Sequence, residues 1–115
     1  MMPHPNLEIQ GQTLTIGNIT KIFKNPIQEA KWTEYGVLVT ILWTPNHEDR
    51  NIFLIDENGQ EIWQIAPIGN QMKTSYTGFY EMPDGNFDVT NMAGYRCRLD
   101  MKTGNIEILY FHPYA

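Results

Sequence analysis

At 115 residues, 42% of them hydrophobic, the chain suits one domain, residues 1–115, able to bury its own core. A net charge of −5, with eight Lys and Arg in no cluster, excludes the basic stripe that nucleic-acid and anionic-membrane binders need. One cysteine, Cys97, excludes an intrachain disulfide, and the longest apolar stretch, 36–43, is eight residues, too short to span a bilayer.

Residues 1–6 carry no basic segment followed by an apolar one, so a cytoplasmic protein is expected. Hydrophobicity then alternates with a period of two along most of the chain. Residues 7–10 and 12–16 alternate around Gly11 and predict an opening hairpin, with a short strand to follow over 19–23. Asn25-Pro26 with Gln28 is a helix-start signal, so at most one short helix is expected near 26–34. Residues 36–43 and 52–55 are apolar on both faces, as in strands covered from both sides, and predict two central strands. Residues 60–66 continue the sheet, with Trp63 and Ile65 on one face. After a loop over 67–74, strands are expected at 75–82, 86–90, 94–100 and 105–111, joined by turns that each hold a glycine. The expected fold is all-β: a single-domain antiparallel meander of about 8–10 short strands, propeller-blade-like or a small sandwich or open barrel.

Two segments share one pattern. Ile52-Phe-Leu-Ile-Asp56-Glu-Asn-Gly59-Gln-Glu-Ile-Trp63 and Leu99-Asp100-Met-Lys-Thr-Gly104-Asn-Ile106 each end a strand in Asp, turn on Gly and start a new strand. Asp56 and Asp100 stand 44 residues apart (100 − 56). The first segment resembles the repeat of quinoprotein-type β-propellers, and the second resembles the same turn with one more residue. Counted from the glycine, the second copy has Ile108 where the first has Trp63, so the resemblance implies no ring of docking tryptophans. Some ten strands also fall short of the four four-stranded blades a propeller needs, so no quinone cofactor is implied. Gly94-Tyr-Arg96, Asp100 and Thr103-Gly104 are also similar to the closing hairpin of short bacterial proteins, a likeness that implies no activity.

Asp56, Gly59, Asp100 and Gly104 read as turn formers, since Asp side chains accept bonds from the backbone of their own turn. A calcium loop at Asp56 lacks the bidentate Glu, because Ile65 stands there. His4, His47 and His112 have no ligand spacing and no cysteine pair, so no metal and no cofactor are expected. Cys97 alternates in phase with Tyr95 and Leu99 and reads as a buried thiol. Arg96, Arg98 and Asp100 share the opposite face, suited to gripping an anion or to pairing across the sheet. Tyr76 and Tyr80 are expected on one face, with Gly78 leaving room between them. Tyr110, Phe111 and Tyr114 form an aromatic close to the chain.

These residues predict a non-enzymatic interaction module. Tyr76, Tyr80, Arg96, Arg98, Tyr110, Phe111 and Tyr114 are its candidate binding residues. The expected partner is another protein, an inhibitor- or immunity-type arrangement against a basic partner, or a second copy in a homodimer. The alternative expectation is a small ligand-binding protein or enzyme with a pocket between sheets, using Asp84, Asp88 and Asp100 as acid/base groups. A third is a subunit that completes a propeller-like oligomer.

Overall fold

The computed structural model describes residues 4–42, 50–68 and 75–111. His47, His112 and Tyr114 lie outside the described residues. Eleven strands follow in chain order: β1 (Leu7–Gln10), β2 (Thr13–Ile16), β3 (Ile19–Ile22), β4 (Ile27–Thr33), β5 (Gly36–Ile41), β6 (Ile52–Ile55), β7 (Glu61–Gln64), β8 (Tyr76–Glu81), β9 (Phe87–Asn91), β10 (Tyr95–Leu99) and β11 (Ile106–Phe111). They form three antiparallel meanders: an N-terminal sheet β1-β2-β3, a middle sheet β4-β5-β6-β7 and a C-terminal sheet β8–β11. No helix occurs among the described residues, and hence none long and apolar enough to cross a membrane.

The sheets stack face to face. Leu14, Ile16 and Phe23 of the N-terminal part pack against Val37, Val39, Ile41 and Ile55 of the middle sheet. The other face of the middle sheet, through Leu38, Ile52, Leu54 and Trp63, packs against Phe79, Phe87, Val89, Cys97 and Leu99 of the C-terminal sheet. β5 and β6 are therefore covered on both sides, which is why their sequences are apolar except for the buried Thr40. Each fully buried aliphatic side chain contributes about 1.5–3 kcal/mol.

The helix-start signal at Asn25-Pro26 opens no helix. Residues 27–33 are β4, paired with β5 from Ile27↔Ile41 to Thr33↔Gly36. Asn25 is buried rather than capping, and Pro26 accepts a hydrogen bond from Leu42 N at 2.8 Å. Ladder pairing with an already apolar neighbour overrides a local capping preference.

The two Asp-to-Gly turns occupy the same place in two sheets, β6–β7 and β10–β11. Asp56 Oδ1 accepts from Asn58 N and Gln60 N, both at 2.9 Å. Asp100 Oδ1 accepts from Lys102 N at 2.9 Å. Gly59 and Gly104 take φ of +83° and +80°, a region that favours glycine. Each turn also receives a side chain from the sheet before it. A β-carbon on Gly59 would lie 2.9 Å from Ile19 Cγ2, and one on Gly104 would lie 2.8 Å from the Trp63 ring. Trp63 Nε1 donates to Met101 O at 2.9 Å, locking the second contact.

Candidate functional site

Register between the repeats identifies which surface ends the stack. In the middle sheet Leu38 pairs with Leu54, which pairs with Trp63. In the C-terminal sheet the matching row is Asp88, Arg98 and Glu107. One row along, Thr40 and Ile52 correspond to Thr90 and Arg96. Trp63 is thus matched by Glu107, not by Ile108 as counting from the glycine implies. A bulge in the middle sheet opposite Leu54 and Ile55, with no counterpart opposite Arg98 and Leu99, shifts the count by one. The row that docks one sheet on the next is apolar in the middle sheet and charged in the last.

Asp88 lies at the centre of that charged row. It is 2% exposed although it lies on the side of β9 opposite the core residues Phe87 and Val89. Arg96 Nε donates to Asp88 Oδ2 at 3.0 Å, and Arg98 Nε donates to Asp88 Oδ1 at 2.6 Å. One carboxylate thus fixes two guanidinium groups, each on a different oxygen. The hydrogen bond that Arg98 donates to Asp88 raises the Arg98 pKa above its ordinary value. Arg96 also lies over the Tyr80 ring, 5.4 Å from its centroid. Asp100 lies one residue past β10, and its Oδ1 accepts from Lys102 N inside its own hairpin.

Tyr80, Arg96 and Tyr110 border a hollow of about 290 Å³ floored by Thr77 and Thr90. Tyr80 and Tyr110 are each about half exposed. Tyr95 and Phe111 pair at 4.5 Å. Tyr76 does not join Tyr80. It is buried in the core, where its hydroxyl donates to Ala66 O. A bulge between Tyr76 and Gly78 reverses the alternation, so the two tyrosines point to opposite faces. Gly78 instead admits Glu29, whose Oε1 would lie 3.1 Å from an added β-carbon.

A second hollow, of about 610 Å³, lies at the hairpin end of the C-terminal sheet, beside Glu34 and Tyr35 of the β4–β5 turn. Glu34, Asp84, Asp100 and Glu107 line it, with Arg98 and Lys102. Hydrogen bonds from Asn86 hold the Asp84 carboxyl below the usual carboxylate range. That carboxyl is suited to staying ionised, not to delivering a proton. A third hollow, of about 350 Å³, opens between the N-terminal and middle sheets, lined by Phe23 and Phe53, by the cations Lys21, Lys24 and Arg50, and by one carboxylate, Glu61.

Cys97 is buried, and desolvation with the nearby Asp88 charge pushes its thiol up to about 11. His4 stacks on Trp32 at 4.3 Å. No group of three His, Cys, Asp or Glu that could hold a metal ion occurs among the described residues. Sequence reasoning missed Asn51. Its buried amide donates to Ile41 O and Tyr76 O, both at 2.9 Å, and accepts from Tyr76 N at 2.8 Å, tying the middle sheet to the C-terminal one. Only its place beside the apolar run 52–55 hinted at a buried role.

No curated protein and no solved structure gives a significant match to the chain. A family model matches residues 4–111, and the chain accordingly belongs to the family described as Domain of unknown function (DUF7957).

Proposed function

We propose that the chain is a non-enzymatic protein-interaction module that docks a basic protein on the outer face of its C-terminal sheet. The observation that carries this reading is the Tyr80–Arg96–Tyr110 platform held in place by buried Asp88. Tyrosine and arginine are the residue types that dominate interface energetics, and ordering them beforehand lowers the entropy lost on binding. The larger hollow supports a basic partner. Its four carboxylates, Glu34, Asp84, Asp100 and Glu107, outnumber its two cations, Arg98 and Lys102. A lysine or arginine from the partner would enter there, as in an inhibitor- or immunity-type complex.

The test is capture from an extract of the native host at low salt, repeated with Tyr80→Ala and with Asp84→Lys. One protein retained by the original chain, lost with both variants and released by salt is the expected result. Retention unchanged by both variants, or no retained protein, overturns the reading.

A second reading rests on the hollow between the N-terminal and middle sheets. Its aromatic lining and its cations suit a small aromatic carboxylate. Calorimetry with benzoate-type compounds tests it: binding abolished by Lys24→Glu supports it, and no heat at millimolar ligand removes it.

A further inference from the structure

The C-terminal sheet has two edges, and they are treated differently. Along β8 the backbone is covered by side chains of β4. Gln28 Nε2 donates to Thr77 O at 2.8 Å, and Phe79 N donates to Glu29 Oε1 at 3.4 Å. Lys31 and Glu81 add an ion pair beside them. Along β11 no side chain is hydrogen-bonded to the backbone of Ile106–Phe111 among the described residues. Four consecutive residues there, Ile108, Leu109, Tyr110 and Phe111, are 41–52% exposed. Leu109 has no partner in β10, because a bulge sets it outside the pairing. Glu107 is the one charged residue of the strand. Such an edge is normally blunted by charged residues, proline, bulges or a covering segment, and of these β11 has Glu107 and the bulge at Leu109.

We infer that β11 is the pairing edge of a two-fold homodimer, in which the β11 strands of two copies join antiparallel into a continuous eight-stranded sheet. Three observations favour a second copy. A two-fold between Ile108 and Leu109 sets Glu107 against Tyr110, so no like charges meet. Stacking through the outer face is opposed by Asp88, Arg98 and Glu107, which would be buried against an apolar sheet. Head-to-tail growth is opposed at the other end, where Pro5 already covers the Gly17 turn and would lie 3.1 Å from a β-carbon there. The β11 edge meets neither obstacle, and it shares Tyr110 with the platform and Glu107 with the hollow proposed to bind a basic protein.

Sedimentation equilibrium of the full chain over a dilution series tests the pairing, together with hydrogen exchange at low and high concentration. A monomer–dimer equilibrium is expected, with residues 106–111 gaining protection as concentration rises while β8 does not. Ile108→Lys and Leu109→Lys, both at exposed positions, are each expected to weaken the dimer about tenfold or more without changing the circular dichroism spectrum. A monomer at all concentrations overturns the inference. So does a dimer that survives both variants, or one formed without protection of β11. Dimerisation is read on the purified chain alone, and capture of the basic partner is read through Tyr80→Ala and Asp84→Lys, so loss of one and loss of the other are separable outcomes.

Discussion

Removing the Asp88 carboxylate leaves two arginines side by side without the charge that holds them. Asp88→Ala is expected to cost about 3–5 kcal/mol, read as a fall in the urea midpoint at constant slope. Asp88→Asn, which keeps the hydrogen-bonding shape, should cost less. Cys97 offers a second reading at this scale. With its thiol pushed up to about 11, it stays protonated at pH 8 and should resist iodoacetamide until the chain unfolds. The sign of its pH dependence follows. Its folded pKa is raised from 9.0, so the folded state keeps a proton that the unfolded chain has lost. Stability should therefore fall as pH rises from 9.0 towards about 11, and Cys97→Val should remove that part of the decline. Labelling at pH 8 as fast as in urea would contradict the burial.

At the scale of elements, the hairpins and the central strands were legible in the sequence because each is a local pattern. Alternation, glycine turns and runs apolar on both faces placed β5, β6 and the four strands of the C-terminal sheet. β4 was not legible: Asn25-Pro26 is a local signal, whereas its pairing with β5 is not. The Tyr76–Tyr80 face failed for a related reason, since a bulge at one residue flips every side chain beyond it and leaves no mark in composition. The charged outer row was hidden too. Arg96 and Arg98 were visible as a pair, but their partner Asp88 needs the β9–β10 register to be known. The contact between hairpins gives a direct test. Gly104→Ala places a β-carbon against the Trp63 ring at positive φ and is expected to destabilise by about 2–4 kcal/mol, measured by thermal or urea unfolding. Gly85, also at positive φ but with nothing within 4 Å of an added β-carbon, is the control and should cost less on substitution by Ala.

For the whole molecule, a repeating row explains both why the sheets stack and why stacking stops. Ile19, Trp63 and Glu107 follow one another at intervals of 44 residues (63 − 19 and 107 − 63). The first two contact the glycine turn of the next sheet, while the third ends on the charged face. Replacing Asp88, Arg98 and Glu107 by Leu, Leu and Trp, their counterparts in the middle sheet, recreates an uncovered apolar docking row. That triple variant is expected to associate through its outer face or precipitate, visible as a rise in scattered light at concentrations where the original chain is clear. The same charged face carries the proposed partner site, so surface protection of the complex addresses the account most directly. Hydrogen exchange should be compared for the chain alone and bound to the partner captured at low salt. Slowed exchange is expected in β8–β10 and in the 83–86 and 100–105 turns, with the N-terminal sheet unchanged. Protection confined to the N-terminal sheet would contradict it.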